Sequence, residues 1–163
     1  MIIRPERGDD AAIRALLVAA FGREAEADLV ERLRRNGDFI LSLVADDSGV
    51  CGFAGFARLQ MEGAQPVREA AGLAPVAVMP GLQRRGIGGA LICEGHRRLV
   101  EQGAPFVFVL GDPAYYARFG YSVAAAQRFK AAYAGPHFMA LRLNAGAPEG
   151  GNIRYPAAFE QLL

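Results

Sequence analysis

The chain has 163 residues, a formal charge of +1 and 52% apolar residues. That length fits one compact domain (residues 1–163), and apolar residues spread along it exclude a disordered polymer. Eighteen Lys and Arg against seventeen Asp and Glu give no global field to hold nucleic acid or an anionic membrane. No window approaches the ~20 apolar residues of a membrane span. The opening Met-Ile-Ile-Arg-Pro-Glu-Arg lacks the apolar core and cleavage site of a signal peptide. A soluble cytoplasmic protein is expected. Cys51 and Cys93 show no metal-ligand spacing and no disulfide framework, and both read as small buried hydrophobes in a reducing compartment.

In chain order, Ile2 to Arg4 can start a strand that Pro5 and Gly8 end. Asp9 or Asp10 can cap a helix with Ile13, Leu16, Leu17, Ala20 and Phe21 on one face. Gly22 breaks it, and a second helix follows from about Glu24 to Arg35, closed by Asn36-Gly37. Phe39 to Ala45 and Val50 to Leu59 read as strands joined by the turn Asp46-Asp47-Ser48-Gly49. Another strand spans about Leu73 to Met79. Beyond Pro80-Gly81 comes a glycine-rich loop and then a helix from about Ile87 to Gln102. Phe106 to Leu110 is the continuous apolar run of a strand buried on both faces. Gly111-Asp112-Pro113 opens a short helical turn ending near Gly120; Tyr121 to Ala124 and then Phe138 to Leu143 continue the strands. Gly146 to Gly151 reads as a mobile loop, and Tyr155 to Phe159 as a last turn. The order predicts an α/β fold with a mixed sheet and helices on both faces.

The strongest local signal is Val76-Ala77-Val78-Met79-Pro80-Gly81-Leu82-Gln83-Arg84-Arg85-Gly86-Ile87-Gly88-Gly89. A strand runs into a loop whose glycines open a helix. The first amides of a helix have no internal partners and sit at its positive end, so they can hold an anion. Gly86, Gly88 and Gly89 let a ligand approach the backbone, and Arg84 and Arg85 can add charge toward a phosphate. A nucleoside-triphosphate loop would need Lys followed by Ser or Thr after the last glycine, where Ala90 and Leu91 stand. A dinucleotide fingerprint fails on glycine spacing at Leu91, although Asp112 lies near the required acidic position. A third form, Gln/Arg-x-x-Gly-x-Gly/Ala, fits Gln83 to Gly88 at every fixed position. Taken alone, the hexapeptide also suits a turn that merely starts a helix.

Some twenty-five residues on stands Leu110-Gly111-Asp112-Pro113-Ala114-Tyr115-Tyr116-Ala117-Arg118-Phe119-Gly120-Tyr121. The two elements together resemble the GNAT superfamily of acyl-CoA-dependent N-acyltransferases, in which that loop is followed by a Tyr-x-x-x-Gly-Phe/Tyr element, here Tyr116 to Tyr121. The wording of this segment and of Tyr155-Pro156-Ala157-Ala158-Phe159 is similar to the bacterial YhbS-like branch. The resemblance is firm from Leu73 to Tyr121. It implies a splayed sheet of six or seven strands and acetyl-CoA as acyl donor, with no metal. It further implies transfer by direct attack on the thioester, to a primary amine of a small molecule or peptide, and it allows a homodimer.

The resemblance also implies residue roles. Val76, Ala77 and Val78 would offer backbone groups to the pantetheine arm, with the Val78 amide as oxyanion donor. Gln83, Arg84, Arg85, Gly86, Ile87, Gly88 and Gly89 would cradle the diphosphate. Tyr116 would contact the donor and protonate the leaving thiolate; a phenol of pKa ~10 holds its proton at neutral pH. Tyr115 is the rival, pointing about 100° away on the same turn. No general base emerges. Glu62 and Glu69 are the nearest carboxylates and read as exposed acids, while Glu24, Glu26 and Asp28 could hold a cationic acceptor or simply start a helix. His96 and His137 have no partner at telling spacing, so no triad and no metal site is expected. Two other readings stay open: a CoA-binding regulatory or interaction module without turnover, and, more distantly, a dinucleotide-dependent oxidoreductase.

Overall fold

A computed structural model describes residues 1–63 and 68–162. Strands β1 (Ile2–Pro5), β2 (Phe39–Asp46), β3 (Val50–Glu62) and β4 (Arg68–Val78) pair antiparallel in sequence order. Helix α3 (Ile87–Glu101) then carries the chain over to β5 (Phe106–Leu110), which lies parallel to β4. Strand β7 (Phe138–Arg142) closes that edge antiparallel to β5. Two short strands, β6 (Phe129–Lys130) and β8 (Gly151–Arg154), pair with each other, and β8 also pairs with the end of β3.

The sheet therefore has eight strands, where six or seven were expected. The additions have a tertiary origin. Pairing of β2 with β3 ends at Phe39 opposite Ala57, which leaves the β3 edge from Gln60 to Glu62 free, and β8 occupies it. A two-residue and a four-residue strand are too short to show a period of two. A second correction falls at Tyr121 to Ala124. Only Ser122 bridges to Ala140, and Val123–Ala126 forms helix α5. The Ser122 hydroxyl accepts from the Ala125 N–H at 3.1 Å, capping an alanine-rich turn.

Alternation along β2 decides which helix covers which face. Leu43 and Ala45 lie in the cluster under α3, while the intervening Val44 packs with Ile13, Leu16 and Leu17 of α1 (Asp10–Phe21). Helix α2 (Ala25–Arg35) lies on the α1 side, with Leu29 and Leu33 against Ala57 and Phe159. Asp9 stands at the start of α1 without capping it. Its carboxylate instead receives Arg4 at 2.9 and 3.1 Å and the Arg7 amide at 2.7 Å.

Two glycines seat α3 on β3. A Cβ at Gly52 would touch Ile87 and Leu91 at 3.0 Å, and one at Gly95 would overlap the fully buried ring of Phe56. Gly95→Ala should therefore lift α3 from the sheet and cost about 1–3 kcal/mol. At this chain length that lowers Tm by roughly 2–12 °C, measurable by differential scanning calorimetry. An unchanged Tm would mean that the contact of α3 with β3 yields to a methyl group without cost. Of the cysteines, Cys51 is buried as expected, whereas Cys93 is exposed on α3. No helix among the described residues is long and apolar enough to cross a membrane.

Candidate active site

Strands β4 and β5 pair only from Ala71 opposite Val107 to Leu73 opposite Val109. Beyond that point the strands part: Ala74 and Pro75 fall where the β3–β4 register shifts between Ala54 and Phe56, an irregularity of the kind that bends a strand. On its other side β4 stays paired with β3 up to Val78 opposite Gly52, and the Met79 amide bonds Cys51 O at 2.9 Å. Since backbone groups alternate along a strand, the polar groups of Val76 and Val78 point away from β3, toward the gap. The Val78 carbonyl accepts from the Gln83 side chain at 3.1 Å, so Gln83 ties the glycine loop to the strand end.

The gap opens into a cleft of about 750 Å³. Of the residues singled out from the sequence, Val76, Ala77, Val78, Gln83, Arg84, Gly86, Ile87, Gly88, Gly89 and Tyr116 all line it. Arg85 does not; it is exposed and stands outside the lining. Leu82, Tyr115, Arg118 and Phe119 complete the walls. Tyr115 is the rival acid named from the sequence; no motif marks Leu82, Arg118 and Phe119 as lining, although Arg118 and Phe119 fall within the Tyr-x-x-x-Gly element.

The loop geometry follows from its backbone. Arg84 and Gly86 have φ of 65° and 85°, left-handed conformations that glycine adopts freely and arginine rarely. The first intrahelical bond of α3 runs from the Ala90 N–H to Gly86 O at 3.0 Å. The N–H groups of Ile87, Gly88 and Gly89 therefore precede the helix's own ladder, and no side chain caps them. They open onto the cleft at the positive end of a fifteen-residue helix.

The opposite wall is α4 (Pro113–Tyr116), which continues into a 3-10 turn, Ala117–Phe119. Asp112 caps α4 by accepting from the Ala114 N–H at 3.0 Å, and Pro113 supplies the fixed first φ. The Tyr116 ring lies on the Gly111 backbone, where a Cβ would come within 2.5 Å of it. Its centroid is 5.0 Å from that of Tyr115 and 5.8 Å from that of Tyr121, both edge-on. Burial, with Tyr115 adding a little, pushes the Tyr116 hydroxyl up to about 12. The Tyr115 hydroxyl reaches elsewhere, to 3.4 Å from the Cβ position of Gly88. The Tyr116 ring is thus seated on Gly111, while the Tyr115 hydroxyl stands at the start of α3.

Tyr121, 3% exposed, shares a 2.7 Å hydrogen bond with His96 Nε2. Burial lowers His96 to about 4, which leaves a neutral ring at physiological pH. His137 sits on the surface against Gly111 O at 3.3 Å. The carboxylates considered from sequence are all in ion pairs. Glu62 meets Arg154, Glu69 meets Arg58 at 3.1 Å, and Glu24 and Asp28 share Arg14 at 3.4 and 3.0 Å. Glu26 is 5% exposed and is held by Arg23 of the α1–α2 connection. None of them lines the cleft.

A mixed sheet opened between two parallel strands, with an uncapped glycine-rich helix start at the opening, is the architecture of N-acyltransferases. The sequence profile of the acetyltransferase (GNAT) domain matches residues 2–124, and the chain belongs to the GNAT acetyltransferase family. It is 38% identical to the N-acetyltransferase YhbS of Escherichia coli (strain K12) over 99% of this chain and all of that one. The crystal structure of Escherichia coli YhbS in complex with CoA covers 98% of this chain and 91% of its own, with a TM-score of 0.87 at 35% identity. A GNAT family acetyltransferase from Brucella melitensis, in complex with acetyl-CoA, covers 97% of both chains with a TM-score of 0.81 at 36% identity.

Proposed function

We propose that the cleft binds acetyl-CoA and that the protein transfers its acetyl group to a primary amine by direct attack on the thioester. The observation that carries this is the opening between β4 and β5 beside the free amides of Ile87, Gly88 and Gly89. An extended amide-rich arm fits the unpaired edge at Val76 to Val78 as an added strand. A diphosphate fits the helix start, where each charge-assisted bond contributes ~1.5–3 kcal/mol. CoA and acetyl-CoA in the two related crystal structures support the same donor here.

Within this reading the Val78 amide faces the thioester oxygen and stabilises the charge that grows on it. The amine nitrogen adds to the thioester carbon, the carbon–sulfur bond breaks, and Tyr116 gives its proton to the departing thiolate. The N–H proton that the amide product sheds restores the phenol. An amine of pKa ~10.4 arrives mostly as ammonium, and its first proton leaves by water, since no carboxylate among the described residues lines the cleft.

The test is a thermal shift with acetyl-CoA, CoA, NAD and ATP in parallel, followed by thiol release over a panel of amines. Ligand at a hundred times its Kd adds about 2.7 kcal/mol, which is roughly 5–10 °C for a domain of this size. Both CoA species should shift Tm and the other two should not. No CoA shift overturns the assignment. A shift without thiol release on any amine would favour a CoA-binding module that has lost turnover.

A further inference from the structure

The glycine loop meets a diphosphate from one wall of the cleft, and the α4 side forms the wall across from it. Arginine stands on both: Arg84 on the loop and Arg118 on the α4 side. No acidic side chain lies among the described residues of the lining. Arg118 is held in place. Its guanidinium lies 4.6 Å from the centroid of the Tyr115 ring, and its Nε donates to the Tyr115 carbonyl at 2.9 Å. A stacked, carbonyl-anchored guanidinium has little rotamer freedom left to lose when it binds.

Its two terminal nitrogens make no hydrogen bond or ion pair among the described residues. Arg4, Arg14, Arg34, Arg97 and Arg98, by contrast, all meet carboxylates. Tyr115, the platform under Arg118, extends its hydroxyl across the cleft to the first turn of α3, 3.4 Å from the Gly88 Cβ position. A phenol O–H and a fixed guanidinium thus stand opposite three free amides, around a space with no negative charge of its own.

We infer that Tyr115 and Arg118 form the second half of the donor's phosphate site. The Tyr115 hydroxyl donates to a phosphate seated at the start of α3, and the terminal N–H groups of Arg118 pair with a phosphate across from it. This rests on the reading of the cleft as a CoA site. It also divides the labour of the adjacent tyrosines: Tyr115 serves the phosphate end and Tyr116 the thioester. The phosphate that Arg118 meets belongs either to the diphosphate or to the 3′-position of CoA, and 3′-dephospho-CoA separates the two.

The experiment is titration calorimetry of CoA and of 3′-dephospho-CoA against the wild type, Arg118→Gln, Arg118→Lys and Tyr115→Phe. Arg128→Gln, remote from the cleft and exposed, controls for net charge. Arg118→Gln should weaken CoA about tenfold or more, the loss of one charge-assisted contact. Arg118→Lys should recover only part of it, because a point charge does not reproduce the stacked fork. Tyr115→Phe should weaken CoA about threefold to tenfold, and Arg128→Gln should not change it. A loss confined to CoA assigns Arg118 to the 3′-phosphate, and an equal loss for both ligands assigns it to the diphosphate. Arg118→Gln and Tyr115→Phe binding CoA within twofold of a wild type that binds would overturn the clamp alone. A wild type that fails to bind CoA would overturn the donor assignment itself.

Discussion

Tyr116→Phe is expected to lower acetyl transfer about a hundredfold or more while leaving CoA affinity within about twofold of wild type. The magnitude is that of losing a positioned general acid. The separation of rate from binding follows from the local structure. The ring rests on Gly111 and meets Tyr115 and Tyr121 edge-on, and phenylalanine keeps all of that contact. Only the hydroxyl, and with it the proton it would donate, is removed. The same burial that fixes the ring lifts the hydroxyl to about 12, so the acid stays loaded well above the ordinary tyrosine value.

The sign of that shift gives a second readout. With an amine of pKa ~10.4, the wild-type rate should keep rising through pH 10 as the acceptor loses its proton. An acid with the ordinary phenol pKa of ~10 would turn the profile down there. The measurement is thiol release from acetyl-CoA between pH 7 and 11, using whichever amine of the panel reacts. Equal rates for Tyr116→Phe and wild type would move the acid to Tyr115 or to water.

Gly88→Glu should abolish CoA binding, and Gly88→Ala should nearly preserve it. The contrast isolates charge from backbone. At Gly88 a Cβ meets only the Tyr115 hydroxyl at 3.4 Å and Val78 Cγ2 at 3.7 Å, and φ is not left-handed, so alanine fits. A glutamate there brings a carboxylate to the helix start where the diphosphate is proposed to sit. Two unit charges 4 Å apart at an effective dielectric of 20 repel by about 4 kcal/mol, about a thousandfold in affinity. The check is the thermal shift at a CoA concentration that saturates the wild type. Gly88→Glu shifting like wild type would sink the phosphate-loop assignment.

The elements nearest the site were legible in the sequence because they are local. A strand, a glycine turn and a helix start within sixteen residues carry their own signals, and Asp112-Pro113 announces α4. The two-face burial of Phe106 to Val109 also shows directly in its apolar run, although Leu110 at the end of that run is exposed; the chain order of strand, helix and strand shows as well. None of this needs a distant partner.

What tertiary structure decided depends on neighbours far along the chain. Strands β6 and β8 exist because β3 outlasts β2 and offers an edge, a fact of length that no window around Gly151 contains. Asp9 gives up its cap to Arg4 and Arg7, and Glu24, Glu26 and Asp28 are drawn into pairs with Arg14 and Arg23. The Tyr115 hydroxyl is likewise brought to Gly88, twenty-seven residues earlier in the chain, only by the packing of α4 against α3. Local propensity and period write themselves into the chain within a few residues. The partner of a side chain or a strand edge is chosen only when segments many residues apart are brought together, and there the choice goes to whichever polar group or apolar face would otherwise be left without one.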